Sequence, residues 1–219
     1  MPDVTERVLR QRLATQRLTS APLPTAAGVV ELLTCVQAQE RDHALFSLGL
    51  RTRSATLASV RAELDSGAFL RTHILRPTWH FVRPADLRWI LTLTTPRLER
   101  SMRARHRELE LDDERYVGAA IDVVADLLAG GNHLTRTEIG ALGHPRLPEP
   151  GPRLGHLLMI AELRGVICSG AGTGAAHTYA LVDERVPATA EISGDEALGR
   201  LAARFFAGHG PASAADLAR

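Results

Sequence analysis

The chain has 219 residues with 26 basic and 25 acidic groups, and every basic side chain is an arginine, because the sequence contains no lysine. That excludes a lysine Schiff base, a pyridoxal-phosphate lysine and a phosphate-loop lysine from its own chemistry. At 45% hydrophobic it can bury a core for one large or two small domains. No run approaches the roughly 18 to 20 apolar residues of a membrane helix, and the start, MPDVTERVLRQRL, lacks a secretory hydrophobic segment.

Two distant cysteines in apolar surroundings, Cys35 and Cys168, read as free thiols of a cytoplasmic protein. The near-neutral net charge hides an asymmetry: residues 1–110 carry +6 and residues 111–219 carry −5. The basic face therefore belongs to the first half.

In chain order, Val4, Val8, Leu9 and Leu13 recur at helical spacing and predict a helix over 4–17, ended before Pro22 and Pro24. Thr25 caps a second helix whose Val29, Val30, Leu32, Leu33 and Val36 bury one side, and the pattern carries it to Gln39. A third spans 56–66 and stops at Gly67, a residue suited to a left-handed C-terminal cap. Two short extended runs follow, 69–75 and 78–82, broken by Arg76-Pro77, where Pro77 cannot donate to a ladder. Pro84 opens the next helix, at the position where a missing N–H costs nothing, and the charged stretch 97–114 continues it as a spacer.

From Glu114 the same order returns. A helix over 116–129 closes at Gly130-Gly131, Thr135 and Glu138 form a capping box, and a helix over 153–163 ends at Gly165. Strand-like segments 165–168 and 176–181 are joined by a Gly-rich loop, 169–174. Three helices and a hairpin, repeated, is the layout of the winged helix-turn-helix. A third copy then begins: a helix over 195–207, a His209-Gly-Pro turn, and Ser213 with Asp216 spaced like Thr135 with Glu138.

The expected fold is mainly α with small β-hairpins, an α+β chain of tandem winged units. Its expected divisions are 1–94 (unit one), 95–113 (helical connector), 114–190 (unit two) and 191–219 (the start of a third unit). Because that last unit lacks a third helix and a wing, the chain is expected to be a fragment of a longer protein.

Winged helices usually bind nucleic acid or protein, so the fold alone argues for no enzyme. There is no H-E-x-x-H, no Cys/His metal spacing and no G-x-S-x-G, and no metal or cofactor is expected. The loop Gly170–Gly174 joins strand to strand without a lysine, unlike a phosphate loop. What stands out is Cys35-Val36-Gln37-Ala38-Gln39-Glu40. Gln37 and Gln39, at i and i+2, do not share a face of a regular helix, although at a helix end the chain can turn both inward.

Val36-Gln37-Ala38-Gln39, then Arg76-Pro77-Thr78-Trp79-His80-Phe81-Val82, then Arg204-Phe205-Phe206-Ala207-Gly208-His209-Gly210-Pro211-Ala212 occur in an order that resembles the AlkZ-type winged-helix DNA glycosylases, also called the YcaQ family. The resemblance runs over essentially the whole chain, including the helix and hairpin of 157–179, and the family's three tandem winged units agree with the truncated third unit.

The resemblance implies a monofunctional glycosylase that hydrolyses the N-glycosidic bond of alkylated purines and in some members unhooks interstrand crosslinks. The family's Gln-apolar-Gln pair maps onto Gln37 and Gln39. A sister branch has Asp in place of the second glutamine, so this chain falls with the glutamine-pair branch.

A glutamine carbonyl is a poor base, but it can accept a hydrogen bond and hold a water over C1′. Purines alkylated at N7 or N3 already carry positive charge and leave without an acid. Glu40 is the nearest carboxylate. Arg76, Thr78 and His80 alternate along a strand and share the polar face opposite Trp79 and Phe81, a face expected to border the DNA or lesion.

Arg51, Arg53, Arg61 and Arg71, around the third helix and first wing, are expected to meet phosphates. The expected partner is double-stranded DNA with alkylated or crosslinked purines, met by a monomer at the bacterial nucleoid, with no membrane. Without a lysine, the only unusual amine left for strand cleavage is Pro2 after loss of Met1. The alternative reading is a non-catalytic winged-helix DNA-binding regulator.

Overall fold

The computed structural model describes residues 3–172, 176–190, 192 and 194–218. Pro2 and the far end of the 169–174 loop lie outside the described residues. After α1 (Val4–Thr15) comes a unit of α2 (Ala26–Leu33), β1 (Cys35–Gln37), α3 (Arg41–Gly49), α4 (Leu57–Asp65), β2 (Leu70–His73) and β3 (Trp79–Val82). Beyond α5 (Pro84–Glu108) the order returns as α6 (Glu114–Leu128), β4 (Leu134–Thr135), α7 (Arg136–Ala141), α8 (Pro152–Leu163), β5 (Ile167–Ser169) and β6 (Thr178–Leu181). Both sheets are antiparallel with the last strand in the centre, β1-β3-β2 and β4-β6-β5. The chain is thus mainly α with small antiparallel sheets, the α+β class that its sequence predicts.

The second helix is shorter than its apolar pattern predicts. It ends at Leu33, because Thr34 turns to a positive φ of 67° and sends the chain into β1. Val36 fits the helical spacing, yet as a β-branched residue it is equally at home opposite Phe81 in the ladder. The repeat also contains a helix that the sequence pattern does not predict: α3 buries Ala44, Leu45 and Leu48. With α3 in place, α1 falls outside the repeat.

The helix expected to continue through 97–114 ends at Glu108, where Leu109 leaves the helical conformation, but local signals placed the starts of α4 and α7. The Thr56–Ser59 and Thr135–Glu138 boxes cap α4 and α7. Gly67 follows α4 at φ +80°, and a Cβ there would also press within 3.0 Å of the Arg185 guanidinium. That cation donates to the Leu64 and Asp65 carbonyls at the end of α4, so unit two caps a helix of unit one.

Each unit has its own core, one around Val29, Leu48, Phe69 and Phe81, the other around Val124, Ile139, Leu157 and Ile167. A third cluster joins Leu70 and Val82 of the first sheet to Ile90 of α5, Cys168 and Val182. The division expected at 94/95 falls inside α5, which runs unbroken past Pro96. After α9 (Val182–Arg185), α10 (Gly194–His209) returns to pack on α2 and α5 of the first unit. α11 (Ala214–Ala218) opens with the expected reciprocal Ser213–Asp216 hydrogen bonds. Among the described residues, no helix is long and apolar enough to cross a membrane.

Candidate active site

Gln37 and Gln39 lie at, and just past, the end of β1. Gln37 ends β1 opposite His80, and the chain stays near β3 for two more residues, with Ala38 N–H donating to Trp79 O at 2.7 Å. At i and i+2 of an extended chain, side chains share a face, so the spacing that a helix forbids is the one a strand provides. Ala38 between them is buried in the first core, while Gln37, the last residue of the edge strand, and Gln39, in the bend beyond it, are exposed.

The amide of Gln39 is oriented by Trp79, whose backbone N–H donates to Oε1 at 3.4 Å. Only a carbonyl accepts from an N–H, so this contact decides which end of the amide is oxygen and leaves that oxygen a second lone pair.

His80, opposite Gln37, is buried, and its Nδ1 donates to the Thr78 carbonyl at 2.9 Å. Burial pushes its pKa from the ordinary 6.5 down to about 4, outweighing that hydrogen bond. The imidazole is therefore neutral at physiological pH, with Nε2 as its acceptor. Arg76 is exposed at the hairpin turn, Thr78 is half-buried, and Phe81 is a core residue, as the alternation predicts. Trp79 departs from it: half-buried, it faces polar and aromatic neighbours as well as the sheet.

The arginines expected at phosphates divide. Arg53 is exposed. Arg61 reaches Asp42 at 3.1 Å. Arg51 is buried, its Nε on the Gln16 carbonyl at 2.9 Å and its Nη1 on Ser47 O and Oγ at 2.7 and 2.9 Å. It ties the end of α1 to α3 and faces no phosphate, because its guanidinium is enclosed.

Arg71 is likewise 4% exposed and turned inward. It crosses over the Trp79 ring at 3.9 Å, and donates to the Ala38 and Gln39 carbonyls at 2.9 and 3.1 Å. Burial lowers its pKa to about 10, which still leaves it a cation.

Behind Trp79 lies a residue that sequence reasoning missed, Glu162 of α8. With no exposed surface, it accepts from Trp79 Nε1 at 3.3 Å and pairs with His73 Nδ1 at 2.5 Å. Its signal was a lone charge inside the apolar run 157–163. Glu40 is exposed and serves as the N-cap position of α3 without a side-chain bond.

The third motif, 204–212, braces this site from behind. Arg204 pairs with Asp86 at 2.5 Å and donates to the Glu31 carbonyl at 2.9 Å, at the end of α2. Gly208 lets α10 meet α2 so closely that a Cβ would lie 2.3 Å from the Leu32 carbonyl oxygen. Both contacts act five to six residues ahead of Gln37.

The thiols take no part. Burial pushes Cys35 up beyond any physiological range and Cys168 to about 12, so both remain protonated. Among the described residues no three His, Cys, Asp or Glu side chains gather closely enough to share a metal ion.

Residues 30–219 match the family model described as "DNA glycosylase AlkZ-like". Among solved structures, the chain is similar to Streptomyces sahachiroi DNA glycosylase AlkZ, with 26% identity and a TM-score of 0.73 over 97% of this chain and 59% of that one. The chain thus spans less than two thirds of that relative's length. No curated protein matches. The family match covers most of the sequence and includes the glutamine pair, the 76–82 segment with β3 and the 204–212 motif: the chain belongs to the AlkZ-like DNA glycosylase family.

Proposed function

We propose that the protein hydrolyses the N-glycosidic bond of alkylated purines in double-stranded DNA, with a water held by Gln37 and Gln39. The observation that carries this is the exposure of both glutamines at the open end of the edge strand β1, with the Gln39 oxygen oriented by the Trp79 N–H and still able to accept. An amide does not deprotonate water in the ground state; it aims the water lone pair at C1′ and favours positive charge developing on the sugar.

A cationic N7- or N3-alkylpurine leaves as a neutral base without an acid, so weak assistance suffices. An undamaged purine does not leave so readily, and the chemistry itself selects the lesion. A tethered base cannot rotate freely out of the duplex, so an exposed site of this kind also suits unhooking of interstrand crosslinks. Such an enzyme works at the nucleoid, as a monomer and without a cofactor.

The exposed Arg53 and Arg76 are assigned to phosphate contact and the half-buried Thr78 to the border of the lesion, while the buried, neutral His80 backs Gln37 across the ladder. Arg51 and Arg71 serve by holding backbone. These 219 residues offer no lysine for a Schiff base, which favours an uncut abasic site as the product.

The test is incubation of the full-length protein with N7-methylguanine duplex and with a nitrogen-mustard crosslink. Free base, an intact abasic strand and separated crosslinked strands are expected. Base release without strand cleavage separates this reading from a regulator, which would bind one operator sequence and release nothing. A borohydride-trapped protein–DNA adduct would contradict the monofunctional mechanism.

A further inference from the structure

We infer that Arg71 and Glu162 are positioning residues for the glutamine pair, so that the second unit completes a site carried by the first; this rests on the base-excision reading above. β1 ends at Gln37, and beyond it the ladder supplies only the Ala38 N–H bond to Trp79. Two carbonyls in the next stretch, those of Ala38 and Gln39, are taken by one guanidinium, that of Arg71, which reaches them from β2 by passing over Trp79. Gln39 is therefore held at both ends: its carbonyl by Arg71, its side-chain oxygen by the Trp79 N–H. A tilt of the Trp79 ring shifts the guanidinium that lies over it, and with it the Gln39 carbonyl.

Trp79 is held in turn by Glu162. A carboxylate with no exposed surface is costly to bury unless both oxygens are satisfied. Here both oxygens go to the first unit, one to Trp79 Nε1 and the other to His73 Nδ1, although Glu162 sits on α8 among Leu158, Ile160, Ala161 and Leu163. The Glu162 charge also favours the cationic form of Arg71. A further bond runs the same way: Arg71 N–H donates to Ser169 Oγ at 2.8 Å. The second unit thus grips the two residues, Trp79 and Arg71, that hold Gln39.

Three variants of the full-length protein test this: Glu162→Gln, which keeps shape and removes charge; Arg71→Lys, which loses the planar fork that spans two carbonyls; and Trp79→Phe, which removes the indole N–H together with part of the ring surface under Arg71. Hydrogen exchange of the 36–40 amides is read beside that of 117–124, a core segment of unit two, together with single-turnover excision and DNA affinity.

Faster exchange is expected over 36–40 with 117–124 unchanged. The excision rate should fall about 10- to 100-fold, as ångström-scale misplacement does, with DNA affinity preserved. Should Glu162→Gln unfold, Trp79→Phe and Arg71→Lys carry the test. If these two fold and leave both the 36–40 exchange and the excision rate at wild-type values, the positioning role is wrong while the base-excision reading stands. If exchange responds but even the wild-type protein excises nothing, base excision is wrong and the brace stands.

Discussion

The side-chain amide of Gln39 owes its orientation to one backbone N–H, and the imidazole of His80 owes its neutrality to burial. The second has a consequence for stability. With its pKa held from 6.5 down to about 4, His80 stays neutral in the fold while the unfolded chain protonates first. Above pH 6.5 neither state gains a proton and the group contributes nothing to the pH dependence. From about 6.5 down to 4 the unfolded state binds more protons, so stability falls as pH falls. His177, pushed by burial to about 3, adds to the same loss. Thermal melts from pH 7 to 4.5 should show a falling midpoint, and His80→Gln should flatten the curve; an unchanged slope would mean that His80 is accessible to protons in the fold.

Elements whose ends are written locally were legible from sequence. Thr135 with Glu138 and Thr56 before α4 needed only a cap and a spacing, and Thr135→Ala should cost about 1 kcal/mol in urea unfolding. β1 was not legible, because Val29, Val30, Leu33 and Val36 fit a helix and the break at Thr34 carries neither glycine nor proline. Its strand character is imposed by β3, more than 40 residues away. The Glu162 contacts lay further still from any local pattern, 83 and 89 residues from their partners.

The α10 motif was recognisable as a string, but its role as a brace depends on a close approach that no spacing reveals. Gly208→Ala forces a Cβ against the Leu32 carbonyl, and the helix must move away. A loss of about 1–3 kcal/mol is expected by denaturant titration, along with slower excision, since α2 leads directly into β1.

At the scale of the whole molecule, two similar units share an apolar seam, and the exposed polar edge belongs to the basic half of the chain. If that half meets the DNA backbone, affinity must fall steeply with salt, and each lost phosphate contact lowers the slope of log K against log salt by roughly 0.9. Arg53→Gln should reduce the slope by that step. Arg51→Gln should lower stability and leave the slope unchanged, because its guanidinium is occupied by Gln16 and Ser47.

The most direct test of the central claim is the single-turnover rate of N7-methylguanine release by full-length protein carrying Gln37→Ala and Gln39→Ala together. With DNA binding retained, the rate should drop to that of spontaneous depurination. Release at the wild-type rate by the double variant would contradict the assignment of the glutamine pair.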